Sequence, residues 1–256
     1  MCLIAIAYRC HDEYPLLVAA NRDEFHDRPT QVSASWQDIP HLIAGRDLSA
    51  GGTWMGVTRQ GRFAAITNHR NPPTTPEQPR SRGFLTLDYL AGDEGPEEYL
   101  QRLKPEAGNY AGFNLLLGDA QTLWCFSNID GKSIELAAGV YSLSNASLDS
   151  SWPKQQLARR EMQALLDSDI THESLQATVS NRAAVPDSQL PDTGVGQEME
   201  RLLAPQFIVD ESYGTRATTS LHIDHSGAIG WRENSYNRFG QFTQSSPWQL
   251  SPDARE

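Results

Sequence analysis

Short apolar segments separated by polar turns run through the first part of the chain and again near its end. Residues 2–8 and 15–20 are two such runs joined by a polar segment, and they predict a hairpin of buried strands. Gln60-Gly61 is a turn signal between two further runs. Similar runs predict a meander and a final hairpin at residues 112–117, 122–127, 133–136, 140–143, 215–223 and 228–231.

Helical periodicity occupies the middle of the chain. The clearest helix begins at Ser151 or Trp152, where Pro153 fits the first turn and apolar residues recur on one face. Shorter helices are predicted at residues 84–90, 97–104, 173–181 and 197–203. Strand-rich ends around these helices suit one α+β domain over residues 1–256, with two stacked, mainly antiparallel sheets and helices packed outside. Several α+β arrangements satisfy the same pattern, and it does not select one of them. The polar segment 243–256 is expected to be a loosely ordered tail.

Composition narrows the class of protein. The chain has 21 basic and 32 acidic residues, a net charge of −11, which argues against nucleic acid as a partner. Its apolar stretches fall short of the roughly 18 residues that cross a bilayer, and the start of the chain lacks a signal-peptide pattern. Three scattered cysteines suggest neither a disulfide framework nor a metal site. We therefore expect a cytoplasmic protein without membrane insertion or bound metal; the oligomeric state stays open.

Cys2 is the strongest chemical signal. Removal of Met1 would leave a thiol and a free α-amine on one residue, and an amine with a pKa of roughly 7.7–8.0 can take the thiol proton near neutral pH. The apolar run after Cys2 would hold that terminus in place. The other interpretation is that Cys2 is a small apolar residue beginning a strand.

A polar tetrad, Asn21-Arg22-Asp23-Glu24, follows the second predicted strand without a break. Strand ends commonly carry chemistry on a rigid base. Asp23 or Glu24 could orient the α-amine, and Arg22 could hold a thiolate or a substrate carboxylate. A salt-bridged turn is the alternative for such a tetrad.

Further polar motifs occur in order along the chain. They are Gly45-Arg46-Asp47, Gly51-Gly52-Thr53-Trp54, Thr67-Asn68-His69-Arg70, Ser81-Arg82-Gly83, Gly112-Phe113-Asn114-Leu115, Ser144-Asn145-Ala146, Trp152-Pro153-Lys154 and Tyr213-Gly214-Thr215-Arg216. With Met1-Cys2 and the tetrad, they closely resemble the NRDE-motif family named for transport and Golgi organisation protein 2. The resemblance covers residues 1 to about 216. It implies the four-layer αββα sandwich of N-terminal nucleophile hydrolases, with a weaker similarity to choloylglycine hydrolases.

The resemblance also implies a site. Its catalytic set is Cys2, Arg22, Asp23 or Glu24, Asn68, Asn145 and Arg216, which fall in the same order as in the choloylglycine hydrolases. The amides of Asn68 and Asn145 would donate to a developing oxyanion, although either could instead be a turn residue at a strand end. Asn21, His69, Arg70 and Arg82 are the candidate substrate-binding residues, and the arginines could receive a carboxylate or phosphate.

Three functions remain open from the sequence. The first is a cysteine hydrolase of a non-peptide amide or thioester, with no required cofactor. The second, drawn from the family, is a carrier that binds haem or another hydrophobic ligand without turnover. The third is an interaction protein whose motifs stabilise the sandwich, and the density of polar motifs at strand ends argues against it.

Overall fold

The computed structural model describes residues 2–70 and 72–251. In chain order the strands are β1 (Cys2–Tyr8), β2 (Leu16–Phe25), β3 (Thr30–Ser35), β4 (Leu42–Asp47), β5 (Met55–Thr58), β6 (Phe63–Asn68), β7 (Phe113–Gly118), β8 (Leu123–Ser127), β9 (Ser133–Glu135), β10 (Gly139–Leu143), β11 (Tyr213–Ile223), β12 (Ile229–Tyr236) and β13 (Phe242–Leu250). The helices are α1 (Gly83–Ala91), α2 (Pro96–Leu103), α3 (Pro153–Leu165), α4 (His172–Ala177) and α5 (Gln197–Leu203), with 3-10 turns at Lys104–Asn109 and Asp187–Gln189.

The strands form two antiparallel sheets. The six-stranded sheet has the order β10-β1-β2-β11-β12-β13, and the seven-stranded sheet runs from β3 to β9 in chain order. The predicted hairpin of the first two strands is present, with Ile4 opposite Ala20 and Tyr8 opposite Leu16. The long crossing from β10 to β11 carries α3, α4 and α5.

Strand alternation divides the core into layers. In β1, Ile4 and Ile6 lie in the cluster between the sheets, whereas Leu3 and Ala5 lie in a second cluster with residues of α3 and α4. A third cluster packs α1 and α2 against the outer face of the seven-stranded sheet. The order is therefore helices, sheet, sheet, helices, and the predicted α+β four-layer sandwich is confirmed. The described helices include none long and apolar enough to cross a membrane.

The tetrad differs from its prediction because it lies within β2 rather than after it. Apolar patterning ends the strand at Ala20, but backbone pairing continues on both sides. Arg22 is opposite Cys2 of β1, and Asp23 is opposite Thr215 of β11. Consecutive tetrad side chains therefore point to opposite faces of the sheet.

The C-terminal segment also differs from its prediction. Residues 243–250 belong to β13, which pairs with β12, so a loosely ordered tail from residue 243 is wrong for this part. The polar composition hid the strand, and β13 is an edge strand, where Pro247 is tolerated. Residues 252–256 and Met1, on which the expected processing depends, lie outside the described residues.

Candidate active site

Cys2 lies at the start of β1 and lines a cavity of about 530 Å³ between residues of both sheets. Ile4 and Ile6, which follow it at alternate positions, face the core between the sheets, and Cys2 projects to the same side. The side chain is 8 % exposed. Burial raises the pKa of the thiol to about 11, so at neutral pH the thiol keeps its proton.

Charged side chains dominate the cavity wall. Six arginines contribute to it, namely Arg22, Arg28, Arg46, Arg80, Arg82 and Arg216. Four carboxylic residues also line it, namely Asp23, Glu24, Asp47 and Glu233. The cavity thus carries more cationic than acidic side chains, although the whole chain has a net charge of −11. Such a local excess of positive charge attracts anions.

Arg22 and Glu24 occupy the face of β2 that Cys2 occupies on β1. Arg22 Nη1 donates to Thr30 Oγ1 at 3.1 Å. The Glu24 carboxylate lies 3.9 Å from Arg22 and 3.8 Å from Arg28. These contacts hold a charged wall next to the thiol while leaving Glu24 partly exposed to the cavity.

Asp23 is a buried carboxyl beside Cys2. Thr215 Oγ1 donates to Asp23 Oδ1 at 2.7 Å, and the Tyr213 hydroxyl donates to the Asp23 carbonyl oxygen at 3.0 Å. The backbone of Asp23 lowers the pKa of the Cys2 thiol, although burial outweighs this effect. Burial raises the pKa of Asp23, and the nearby positive charge of Lys154 acts in the opposite direction. Asp23 and Glu24 are therefore distinct in environment, with Asp23 enclosed and Glu24 in a charged, partly open wall.

Lys154, from the first turn of α3, completes this buried charged group. It is 3 % exposed, and its Nζ donates to the Leu203 carbonyl oxygen at 3.1 Å. Burial lowers the pKa of Lys154 to about 8, while the negative charge of Asp23 opposes that shift. The Trp152-Pro153-Lys154 motif therefore places a buried cation near Asp23. The sequence pattern did not indicate this position.

Two glycine-bearing motifs meet at the cavity rim. A Cβ at Gly52 would lie 2.5 Å from the backbone carbon of Gly83, so only glycine allows the loop before β5 to approach the start of α1 this closely. Thr53 N donates to the Gly83 carbonyl oxygen at 3.2 Å. This contact places Ser81 and Arg82 on the cavity wall.

The match to the family described as Transport and Golgi organisation 2 extends over residues 1–238. The chain belongs to this family. A homologue from Mus musculus is 31 % identical over 244 residues, which is 87 % of each chain. A homologue from Homo sapiens is 32 % identical over 241 residues, again 87 % of each chain. The Drosophila melanogaster protein named Transport and Golgi organization protein 2 is 25 % identical over 249 residues, 87 % of this chain and 86 % of its own.

Solved structures similar to this family member include two hydrolases. A mutant conjugated bile acid hydrolase from Clostridium perfringens has a TM-score of 0.46 and 12 % identity, covering 98 % of this chain and 92 % of its own. The Caenorhabditis elegans orthologue of N-acylethanolamine-hydrolyzing acid amidase has a TM-score of 0.41 and 9 % identity, covering 75 % and 95 %.

The structure brings together seven of the residues predicted for the site of this family member. Cys2, Arg22, Asp23, Glu24, Asn68, Arg82 and Arg216 all line the cavity. Asn68 ends β6 with an exposed side chain. Arg216 lies at the β-bulge of β11, where the register shifts between Thr215 and Ala217. The bulge is not visible in the apolar pattern.

Asn21 and Asn145 have structural positions instead. Asn21 Nδ2 donates to the carbonyl oxygens of Val179 and Gln206 at 2.6 and 2.9 Å, and its Oδ1 accepts from Thr218. It therefore ties β2 to the segments outside the sheet rather than contacting a substrate. Asn145 is buried, and its Nδ2 donates to the Asn68 carbonyl oxygen at 2.9 Å. This bond uses one of the two amide hydrogens and links the segment after β10 to the end of β6; the oxyanion role of Asn145 stays a prediction.

His69 and Arg70 also differ from their predicted role. His69 Nδ1 lies 3.0 Å from the Arg70 carbonyl oxygen. The Arg70 guanidinium forms a buried ion pair with Glu200 and lies 4.4 Å above the Trp152 ring. Arg70 thus joins the end of β6 to α5 and to Trp152, whereas this contact of His69 is to the adjacent residue, and neither residue is among those that line the cavity.

Glu233 is a cavity residue that the sequence did not indicate. It is a buried residue of β12, and its Oε1 accepts from the Ser33 backbone amide at 2.9 Å. Burial raises the pKa of Glu233.

Proposed function

We propose that this protein is a cysteine N-terminal nucleophile hydrolase that cleaves a non-peptide amide or a thioester. The observation that carries the proposal is the Cys2 thiol on the wall of the arginine-lined cavity, with the enclosed Asp23 carboxyl near enough for its charge to act on the thiol. A nucleophile, an acid that can hold an ammonium group and cationic side chains are thereby gathered in one place.

In this proposal the base is the α-amine of Cys2, freed when Met1 is removed. A thiol with a pKa of about 11 is almost wholly protonated at neutral pH, so it needs such a base. The amine takes the thiol proton, and the sulfur attacks the substrate carbonyl carbon. When the carbon–nitrogen or carbon–sulfur bond breaks, the ammonium returns the proton to the leaving group.

The resulting thioester on Cys2 is hydrolysed in a second step. Water gives a proton to the α-amine and attacks the acyl carbon. As the bond between that carbon and the Cys2 sulfur breaks, the ammonium returns the proton to the sulfur, which restores the thiol and the free amine. Asp23 is the acid that orients the amine in this scheme, because its carboxyl is enclosed beside Cys2 while Glu24 faces Arg22 and Arg28. The exposed Asn68 amide is the donor for the oxyanion, and losing one such donor typically lowers the rate about 10²–10³-fold.

Two measurements test the proposal. Intact mass of the purified protein should show that Met1 is absent; a retained Met1 blocks the amine and contradicts the mechanism. Hydrolysis of S-phenyl thioacetate and 4-nitroacetanilide, followed by release of thiophenol and 4-nitroaniline, should be lost in Cys2→Ala. Cys10→Ala is the matched control, since Cys10 is a free, half-buried thiol outside the cavity wall. Turnover that survives in Cys2→Ala would contradict a nucleophilic Cys2.

A haem carrier is the second candidate, and the arginines of the cavity are the observation that favours it. Arg82 and Arg216 would suit the carboxylates of haem. The iron fits less well, because the described cavity wall offers Cys2, whose thiol is protonated, and no histidine or methionine. Haem titration by absorbance separates the two functions. Binding that persists in Cys2→Ala, without hydrolysis in the unmodified protein, supports the carrier.

We also propose a cytoplasmic location. All three cysteines are free thiols in the structure, which agrees with a reducing compartment.

A further inference from the structure

Not all arginines of the cavity are equally available to a ligand. Arg28 bonds Asp47, Arg46 bonds Asp38, and Arg80 bonds Glu106, so each already has a carboxylate partner. Arg22 lies near Glu24. The positive charge of these four arginines is therefore at least partly compensated within the protein.

Arg82 and Arg216 are held differently. Arg82 Nη1 donates to the Gly112 carbonyl oxygen at 2.9 Å. Arg216 Nη1 donates to the carbonyl oxygens of Phe25 and Arg28. These neutral acceptors position each guanidinium without neutralising it. Within residues 2–70 and 72–251, the Nε and Nη2 atoms of both arginines make no hydrogen bond, so each keeps the forked edge that binds a carboxylate or phosphate.

Arg82 lies near the thiol. Burial lowers the pKa of Arg82, and negative charge on Cys2 acts against that shift, which places the guanidinium within electrostatic reach of the sulfur. Arg82 also precedes the first residue of α1, and the positive end of that helix dipole adds to its field. Arg216 lines the same cavity from β11.

We infer that the substrate of the proposed hydrolase carries an anionic carboxylate or phosphate group, which Arg82 and Arg216 bind. The inference rests on the proposed function and narrows it from amides and thioesters in general to those with a negatively charged group. Within the described residues neither guanidinium forms a salt bridge; the charge of Glu24 acts on both only at longer range, and an anion would pair with their open edges.

Alkylation of Cys2 by iodoacetate and by iodoacetamide tests this inference without any turnover. The two reagents differ in charge and resemble each other in size. The rates at Cys2 and Cys10 are followed separately by peptide mass spectrometry, and the ratio of the iodoacetate rate to the iodoacetamide rate should be higher at Cys2. Arg82→Gln should lower the ratio at Cys2 about ten-fold, because a hydrogen bond to a charged group is lost. Arg216→Gln should act in the same direction.

Arg80→Gln is the matched control. It removes the same charge at the cavity rim from a side chain that is already bonded to Glu106, so the ratio at Cys2 should stay within about two-fold. Circular dichroism of each variant verifies the fold. A ratio at Cys2 equal to that at Cys10, or unchanged in Arg82→Gln, overturns the inference.

If Cys2 reacts with neither reagent, a second measurement tests the inference through the effect of phosphate on the melting temperature. Inorganic phosphate should raise the melting temperature more in the unmodified protein and in Arg80→Gln than in Arg82→Gln; an equal rise in all three overturns the inference. The outcomes also separate this inference from the proposed function. A charge preference at Cys2 without hydrolysis of either the neutral probes or N-succinyl-4-nitroaniline, which carries a carboxylate, contradicts the hydrolase alone. Hydrolysis without a charge preference contradicts the anionic substrate alone.

Discussion

The buried Lys154 gives the sharpest prediction for a substitution, Lys154→Met. Methionine keeps the approximate length of the side chain but removes the charge next to Asp23. Lys154 is 3 % exposed, and burial lowers its pKa from 10.5 to about 8. This difference between the unfolded and the folded state contributes to the free energy of unfolding. A folded-state pKa below the unfolded value means that the unfolded chain binds the proton more strongly.

The sign and size follow from that difference. Below pH 8, protonated Lys154 costs the fold about 3 kcal/mol, since one pKa unit corresponds to 1.36 kcal/mol. The cost is relieved as the pH rises from 8 to 10.5. Between pH 7 and pH 9 the relief is about 1 kcal/mol.

Urea unfolding of the unmodified protein and of Lys154→Met at pH 7, 8 and 9 measures this effect. The free energy of unfolding of the unmodified protein, minus that of the variant, should increase with pH by about 1 kcal/mol or more. Taking the difference removes the contribution of the buried thiols, which titrate in both proteins. Lys132→Met, at an exposed lysine beside Asp130, is the control and should keep the pH dependence of the unmodified protein. A difference that is flat or falls with pH refutes the assignment of Lys154 as a buried cation.

Two further predictions concern residues whose structural position differs from their expected role. Arg70→Met should lower the free energy of unfolding by about 3–5 kcal/mol, because it leaves the buried Glu200 without its cation. The control Arg201→Met, at an exposed ion pair with Asp187, should change it by less than about 1 kcal/mol, and equal effects of the two variants in urea unfolding would contradict the buried pair. Asn21→Ala should lower the free energy of unfolding by about 2–4 kcal/mol, since three buried hydrogen bonds are lost. The control Asn237→Ala, in an exposed turn, should lower it by less than about 1 kcal/mol, and a thermal unfolding experiment that ranks the two variants otherwise would show that the Asn21 side chain does not stabilise the fold.

Much of the fold follows from the sequence because local pattern and global packing agree. The runs that became β1 and β2 are apolar on both faces, since one face meets the second sheet and the other meets α3 and α4. Such strands are recognisable without knowledge of their neighbours. The helix after Trp152 is equally visible, because its apolar face and its first-turn proline lie within one short segment.

The features that escaped prediction depend on residues distant in the chain. Asn21 bonds Val179 and Gln206, and Asp23 bonds Thr215, each more than 150 positions away. Polar residues in a strand are acceptable only when such partners exist, and no local pattern records them. Lys154 and Glu233 were missed for the same reason, since lysine and glutamate are normally exposed and only packing by other elements buries them.

The tetrad shows why a sequence motif and a catalytic site are different things. Because β2 continues through it, Arg22 and Glu24 share the cavity face with Cys2, whereas Asn21 bonds the segments outside the sheet. One strand therefore supplies both the charged wall of the cavity and the tie that holds the helical layer. A loss of activity in Asn21→Ala would accompany a loss of stability and would identify no chemical role. A loss in Cys2→Ala or Arg82→Gln with unchanged unfolding would identify one, and those positions are where the chemistry of this cavity has to be tested.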